Sequence, residues 1–172
     1  TFATCNALVL SERTLFIADT YVNEDPTAQQ LAEIAAMTVA EVQRFGIPPK
    51  VAFLSHSSFG SSSSASAKKM RLARDLFAAA NPDVECDGEM HGDAAMSDDI
   101  RKAYLPGSTL HGSANVLICP NLDSANILFN VLKMTSSEGV TVGPVLLGSS
   151  APGHILNPSS TVRRYVNMIA LA

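Results

Sequence analysis

The sequence has no tryptophan, and aromatic residues make up only 6% of its 172 residues. It also has no basic cluster, since its 12 Lys and Arg residues are spread along the chain and its formal net charge is −4. A protein that binds a nucleic-acid duplex needs a basic face to displace counterions from phosphates, and one that binds single strands needs aromatic side chains on which bases stack. We therefore expect no nucleic-acid partner.

Cysteine is scarce, and no long apolar run is present. Cys5, Cys86 and Cys119 are widely spaced and form no C-x-x-C pair, so there is neither a zinc-site pattern nor a disulfide framework. We predict reduced, buried thiols in a cytoplasmic protein. Without about 18 consecutive apolar residues, no segment is expected to span a membrane. The N-terminus shows no secretory signal, and residues 1–10 already resemble a strand, which indicates a piece of a larger enzyme.

Apolar residues are abundant instead: 47% of the sequence is hydrophobic and 16% is charged. The length suits one domain with a substantial core. The low charge has two explanations, which composition weighs equally. Either part of the surface is covered by another body, or the core is large and well filled.

Short apolar runs alternate with segments of helical periodicity. Runs at 7–10 and 14–18, separated by three polar residues, predict a hairpin. Asp25 is the predicted N-cap of the following helix, Pro26 its first residue and Gly46 its stop. The buried face of this helix is predicted to contain Leu31, Ile34, Thr38, Val42 and Phe45. Further strands are predicted at 51–54, 84–90, 115–119 and 141–147, and further helices at 67–80, 93–104, 126–134 and 161–172.

This alternation predicts an α/β fold with a largely parallel sheet and helices on both faces. Ligands of such folds bind beyond the carboxyl ends of the strands, where we expect the loops 55–66, 120–126 and 148–160. The first loop is rich in serine and leads into a helix, so its N–H groups and hydroxyls could hold an anion. It lacks the Lys-Ser/Thr ending of a nucleotide P-loop. The alternative is a solvated connection with a serine cap.

Two other segments carry groups that could take part in chemistry. In an extended strand Asp87, Glu89 and His91 would share one face and could bind a metal, but a hydrogen-bonded structural turn is the favoured interpretation, and no metal is expected. Near the C-terminus, Arg163 and Arg164 follow the predicted cap Ser160 in the first turn of a helix, where the helix dipole disfavours cations. They indicate either an anionic partner or a pair of solvated side chains.

Motifs along the whole chain resemble those of the phosphotransacetylase (phosphate acetyl/butyryltransferase) family. They are Asp87-Gly88-Glu89, Asp93-Ala94-Ala95, Gly112-x-Ala114-Asn115-Val116, Pro120-Asn121-x-Asp123-x-x-Asn126, Val142-Gly143-Pro144-Val145-Leu146 and Val166-Asn167-x-x-Ala170. Family members are about twice this length, so the resemblance implies the second half of their layered fold. Residues 1–154 would form the second subdomain, and 155–172 a loop and helix that belong with the missing first subdomain.

Four segments, at 16–26, 54–61, 87–93 and 136–144, resemble the C-terminal region of large NADP-dependent malic enzymes. The resemblance implies a parent that oxidatively decarboxylates malate to pyruvate, with NADP and a divalent metal bound in a catalytic region outside this chain. It also implies acetyl-CoA as a regulatory ligand and inhibitor, and a homodimer or larger homo-oligomer. No cofactor is expected in this domain itself.

The chain departs from working phosphotransacetylases at their catalytic tail, which resembles Ser-Arg-Gly-x-Ser-x-x-Asp. The Asp of that tail acts as base on the CoA thiol, and the Ser and Arg hold the reacting groups. Asn157, Pro158 and Arg164 stand at the Ser, Arg and Asp positions. A guanidinium cannot accept a proton, and proline has no side-chain donor. Phe59 and Asn130 stand where members commonly have Lys, which weakens any hold on phosphate.

The favoured interpretation is therefore a non-catalytic acyl-CoA-binding regulatory and oligomerisation domain. The alternatives are an active phosphate acetyltransferase fragment and a purely structural dimerisation module. No catalytic residue is expected. The predicted ligand-binding residues are Ser57, Ser58, Gly60, Ser61, Asn126, His154, Arg163 and Arg164.

Overall fold

Six strands form one sheet in the computed structural model, which describes residues 1–136, 140–150, 153–156 and 162–171. The strands are β1 (Ala3–Val9), β2 (Thr14–Ala18), β3 (Lys50–Leu54), β4 (Glu85–Met90), β5 (Val116–Ile118) and β6 (Val140–Leu147). Their order across the sheet is β4-β3-β5-β2-β1-β6. Strands β2, β5, β3 and β4 pair in parallel, and β1 is antiparallel to both β2 and β6. Among the described strands only β1 is reversed, so the predicted largely parallel sheet is confirmed.

Helices cover both faces of this sheet, as predicted. They are α1 (Ala28–Arg44), α2 (Ala65–Ala80), α3 (Gly92–Met96), α4 (Asp98–Tyr104), α5 (Leu122–Thr135) and α6 (Val162–Leu171). One buried apolar cluster joins the sheet to α1 and α2 and contains Phe16, Phe53 and Phe77. The other joins the opposite face to α3 and α5 and contains Met90 and Phe129. Successive side chains of a strand point to opposite faces, which is why neighbouring strand residues belong to different clusters.

The amphipathic pattern of α1 is confirmed. Leu31, Ile34, Thr38 and Val42 are fully buried, and the ring of Phe45 packs against Phe16 with centroids 5.7 Å apart. The predicted start of the helix is wrong, however. Thr27 is the N-cap in place of Asp25, and Pro26 precedes the helix.

The cap of α1 is a reciprocal pair that outcompetes the Asp25-Pro26 signal. The Thr27 hydroxyl accepts from Gln30 N at 3.2 Å, and the Gln30 side chain accepts from Thr27 N at 2.9 Å. This capping box satisfies two N–H groups at once. Asp25 instead pairs with Lys69 of α2.

Two other helix boundaries differ from the predictions for similar reasons. The predicted helix 93–104 is two helices, because Ser97 is extended and accepts from Ile100 N to cap a new helix. The predicted helix at 126–134 begins earlier, at Leu122. Asn121 caps it in a second capping box, with Ser124 as its partner. Short polar side chains near a helix start compete with the backbone and fix such boundaries.

The chain after β6 turns back along the sheet edge. Leu146 N donates to Gly153 O at 2.8 Å and Ile155 N to Pro144 O at 3.1 Å. The side chain of Met168 in α6 is buried, and its sulfur accepts from Gly143 N at 3.2 Å. Both His154 and Met168, which lie on either side of the predicted division between 154 and 155, contact β6. The division itself stays a prediction.

All three cysteines are buried and free, as predicted. Burial raises the pKa of the Cys86 thiol to about 11 and that of Cys119 to about 12. Helices of the length and apolar character needed to cross a membrane do not occur in the described parts of the chain.

Gly88 in β4 is predicted to tolerate no side chain. Its φ is +142°, and an added Cβ would lie 2.7 Å from Phe53 O and 2.9 Å from Phe53 Cβ. We expect Gly88→Ala to reduce the free energy of unfolding by about 3 kcal/mol, because backbone strain and steric overlap add. Gly107→Ala is the control, since nothing lies within 4 Å of its added Cβ. Urea denaturation measures both, and equal stabilities for the two variants would contradict the prediction.

Candidate functional site

The loop between β3 and α2 lies at the carboxyl edge of the sheet and wraps around the end of β4. Ser55 N donates to Met90 O and Phe59 N to Glu89 O, both at 2.8 Å. We call residues 57–62 the serine loop. Because β3 and β4 are parallel neighbours, their carboxyl ends meet here, and the loop reaches β4 through main-chain hydrogen bonds.

Glu89 is the centre of this site. Its side chain is fully buried. Its Oε1 accepts from Ser57 Oγ at 2.6 Å and from Gly60 N at 3.0 Å. Arg71 of α2 donates through two nitrogens, Nε to Oε2 and Nη2 to Oε1, both at 2.9 Å. Such a two-pronged guanidinium–carboxylate pair is geometrically specific and stronger than a neutral hydrogen bond.

These donors keep Glu89 ionised. Burial by itself would raise the pKa of its carboxyl, but the hydrogen bonds from Arg71, Ser57 and Gly60 together outweigh burial and lower that pKa to about 2. The same pairing raises the pKa of Arg71. The pair is thus charged at every pH at which the protein is expected to work.

Every N–H group of the serine loop has an acceptor inside the protein. Phe59 N and Gly60 N donate to two oxygens of Glu89. The remaining bonds are Ser57 N to Ser55 Oγ (3.1 Å), Ser58 N to Ser61 Oγ (2.9 Å), Ser61 N to Ser58 O (3.1 Å) and Ser62 N to Ser57 Oγ (3.0 Å). The anion that this loop holds in the structure is therefore the carboxylate of Glu89.

The predicted ligand residues of this loop divide into two groups. Ser57 and Ser58 are buried, whereas Gly60 and Ser61 are exposed. The Ser57 hydroxyl is bonded to Glu89, and the Ser58 hydroxyl accepts from His91 N at 3.4 Å. Only the second group faces solvent, and its binding of an external ligand stays a prediction.

Phe59 occupies a position where the resemblance implied Lys in working members. Its φ of 47° lies in the left-handed region, which is unusual for an aromatic residue. Its half-buried ring packs against the apolar cluster that contains Met90 and Phe129. A side chain committed to this cluster supplies no cation to the carboxyl edge.

Asn126 lies near the carboxyl end of β2. Its Nδ2 donates to Thr20 O at 3.1 Å, and its Oδ1 accepts from Asn130 Nδ2 at 3.1 Å. Asn130 thus contacts a predicted ligand residue, although its amide carries no charge in place of the Lys implied by the resemblance.

Asp19 is a residue of this edge that sequence reasoning missed. It is buried directly after β2 and accepts from Thr4 Oγ1 at 2.6 Å and from Asn23 N at 2.8 Å. An Asp that directly follows an apolar strand was the available signal. Its bonds hold β1 and the β2–α1 connection together.

His154 lines a separate cleft of about 300 Å³ between α1 and the turn after β6. Within the described part of the chain, neither ring nitrogen has a hydrogen-bond partner. Burial lowers the pKa of the imidazole, Glu41 opposes this shift and Arg44 adds to it. The structure therefore brings His154 to a cleft with charged neighbours, and its role as a ligand residue stays a prediction.

Asn157, Pro158 and the predicted cap Ser160 lie outside the described residues, as do the side chains of Arg163 and Arg164. The backbone of both arginines is in the first turn of α6, as predicted.

The two carboxylates considered for a metal serve different partners. Asp87 accepts from Ser108 Oγ at 2.6 Å, whereas Glu89 binds Arg71. His91 lies beyond the end of β4, as the residue before α3. Across the described ranges no three His, Cys, Asp or Glu side chains come together to hold a metal ion.

Comparisons with known proteins agree with this architecture. A family model described as phosphate acetyl/butaryl transferase matches residues 1–172. The chain is 59% identical over 167 residues to an NADP-dependent malic enzyme of Salmonella typhimurium, covering 97% of this chain and 22% of that protein. It is 34% identical over 164 residues to a phosphate acetyltransferase of Synechocystis, covering 95% of this chain and 23% of that protein. The chain thus spans less than a quarter of these curated relatives.

A solved phosphotransacetylase from Streptococcus pyogenes is similar in structure, with a TM-score of 0.92 and 31% identity. The match covers 98% of this chain and 52% of that one. The predicted resemblance to half of a phosphotransacetylase fold is confirmed.

The charge of Glu89 is predicted to make the free energy of unfolding depend on pH in the acid range. Its folded pKa of about 2 is below the ordinary 4.5, so its ionised form stabilises the fold above pH 4.5 and this stabilisation is lost as the pH falls toward 2. We expect the stability difference between the wild type and Glu89→Gln to shrink by roughly 2–3 kcal/mol between pH 7 and pH 2.

Urea denaturation across this pH range measures that difference. The control is Glu12→Gln, because Glu12 is exposed in the β1–β2 turn. A difference for Glu89→Gln that stays constant with pH would show that the carboxylate is not held in its charged form by these partners.

Proposed function

Because this chain belongs to the phosphate acetyl/butaryl transferase family, we propose that it is the acyl-CoA-binding regulatory domain of a larger, cytoplasmic malic enzyme. The observation that carries the proposal is the pattern of similarity. Identity is 59% to a malic enzyme and 34% to a phosphate acetyltransferase, over nearly the same length of this chain. The parent would oxidatively decarboxylate malate to pyruvate, with NADP and a divalent metal in its catalytic region.

The binding site in this proposal is the space beyond the carboxyl edge of the sheet, which we call the ligand cleft. The exposed part of the serine loop, at Gly60 and Ser61, would form one rim. Asn126 would contribute from α5. Arg163 and Arg164 are suited to the phosphates of a coenzyme, because a guanidinium binds phosphate through paired hydrogen bonds. In this proposal the ligand extends to the separate cleft after β6, where His154 would contribute.

The proposed lack of acetyl transfer rests on side-chain chemistry. Arg164 stands where the family's tail has an Asp base, and a guanidinium has no acceptor for the thiol proton. Pro158 replaces the arginine of the same tail. The ring of Phe59 supports this proposal, since it packs against an apolar cluster and supplies no cation to the carboxyl edge, where the family resemblance implies Lys.

Inhibition by acetyl-CoA requires a thermodynamic link to the catalytic region. A ligand shifts an equilibrium between two states only by the difference between its affinities for them. Where the inhibition acts through malate affinity, malate and acetyl-CoA weaken each other's binding by the same factor. This reciprocity separates regulation from simple storage of the ligand.

We expect acetyl-CoA to inhibit the malic activity of the complete polypeptide about fivefold or more, a typical allosteric coupling. Calorimetry with acetyl-CoA should show binding, and an assay for acetyl phosphate should show no turnover. Acetylated pantetheine, which keeps the acyl thioester but lacks the phosphates and the nucleotide, is the matched control ligand. Acetyl phosphate formation would support an active acetyltransferase, and binding without inhibition would rule out the regulatory role.

A second proposed role, oligomerisation, is favoured by the outer face of α5. Ile127, Val131 and Met134 recur at helical spacing and are 62%, 54% and 79% exposed. Monomeric soluble proteins rarely leave such contiguous apolar stripes open. The buried face of the same helix, at Ala125 and Phe129, is already used for the core. A second copy of the chain is the proposed occupant, in keeping with the homo-oligomer that the family resemblance implies.

We expect Val131→Glu to weaken self-association of the complete polypeptide at least about tenfold, because a buried carboxylate without a partner opposes the interface. Sedimentation velocity measures the change. Lys133→Glu is the control on the same helix, away from the stripe, and it should leave the oligomer intact. An unchanged oligomer for Val131→Glu would remove this face from the interface.

A further inference from the structure

The serine loop folds around a side chain instead of presenting open donors. We propose that it is an anion-binding site whose resident anion is the Glu89 carboxylate, and that Glu89 and Arg71 thereby position the loop as the rim of the ligand cleft. The identity of the ligand rests on the proposed function, whereas the occupation of the loop by Glu89 does not.

The loop has the features of a built anion site. The carboxylate is fully buried and receives donors from three different groups: a hydroxyl, a main-chain N–H and a guanidinium. Main-chain N–H groups in consecutive turn residues form concavities of the kind that hold phosphate and other anions. Here Glu89, which enters from β4, fills that position.

Backbone conformation aims the donors at this one residue. Phe59 and Gly60 are both left-handed, with φ of 47° and 92°. Their successive N–H groups donate to the main-chain oxygen and to the carboxylate of Glu89. An aromatic residue keeps a strained backbone conformation only where surrounding contacts hold it there. For Phe59 these contacts are the two hydrogen bonds to Glu89 and the packing of its ring.

Removal of the carboxylate would take an acceptor from several groups at once. Gly60 N–H loses its acceptor, the Ser57 hydroxyl keeps its bond to Ser61 Oγ, and Arg71 keeps only the longer bond to Ser62 O, at 3.3 Å, on this loop. Glu89 is fully buried, but the side chain of its partner Arg71 is 33% exposed, so the proposed path for a small anion from solution runs past Arg71. A soluble carboxylate should therefore replace the missing group, which would not happen at an ordinary cavity.

The test is chemical rescue of Glu89→Ala in the complete polypeptide that carries this chain, measured by amide hydrogen exchange of residues 57–62. We expect exchange about 100-fold faster than in the wild type, because the loop opens locally without its central acceptor. Sodium acetate at millimolar concentration should slow the exchange of these residues in Glu89→Ala at least about tenfold. Sodium chloride at equal ionic strength is the control.

Three further variants make the outcome decisive. Met90→Ala removes a fully buried neighbour on the same strand, and acetate should not protect it. Glu89→Ala combined with Arg71→Ala removes the cation and should also abolish rescue. Glu89→Gln keeps the volume of the side chain, so it reports on the loop if Glu89→Ala does not fold, and its exchange should be at least about tenfold faster than in the wild type.

Unchanged exchange of the loop in Glu89→Gln, or equal acetate protection of Met90→Ala and Glu89→Ala, would overturn the inference. The positioning role of Glu89 is tested by acetyl-CoA affinity. This affinity should fall at least about tenfold in Glu89→Gln, while Glu12→Gln should bind as the wild type does. A loosened loop with unchanged affinity would overturn the positioning role. A wild type that binds no acetyl-CoA would instead refute the proposed function. The exchange results would still decide whether the Glu89 carboxylate is the anion that the loop binds.

Discussion

The carboxyl edge of this sheet depends on one charge pair, that between Glu89 and Arg71. The pair joins three separate elements, since Glu89 comes from β4, Arg71 from α2 and the remaining donors from the serine loop between β3 and α2. A buried carboxylate without partners would cost several kcal/mol, so loop, strand and helix must form together. The shape of the loop is therefore a tertiary property, set when these elements pack.

Apolar strands and regular helical spacing made the fold predictable. The helix boundaries depended on which of several nearby polar side chains caps the helix. The apolar runs gave the sheet and both helical layers, and the motifs gave the family. Asp25 and Thr27 are both good caps, and only the reciprocal bonds between Thr27 and Gln30 decide between them. The serine loop was predicted to offer donors to an anion; binding of an external anion stays a prediction, and in the structure a carboxylate of the same chain is bonded to the loop. Its acceptor lies 32 residues away from Ser57, a pairing that no local pattern reveals.

The proposed function separates the scaffold of this family member from the chemistry of the family. The fold matches a solved phosphotransacetylase closely, while Phe59 and Arg164 stand where the family resemblance implies Lys and Asp. A fold can keep its binding shape after its reacting groups change, since function resides in a few side chains on a common framework. On the proposed function, this chain would keep the family's binding shape and use it to sense a ligand.

The edges of the sheet limit how copies of this chain can meet. The β6 edge is paired with the returning chain at residues 153–155. At the other edge, the β3–β4 register shifts between Phe53 and Leu54, beside the left-handed Gly88. Irregular or covered edges resist strand addition. Contacts between copies of this chain are thus favoured at helical side chains, and a continuous intermolecular sheet, the route to fibrous aggregation, is disfavoured.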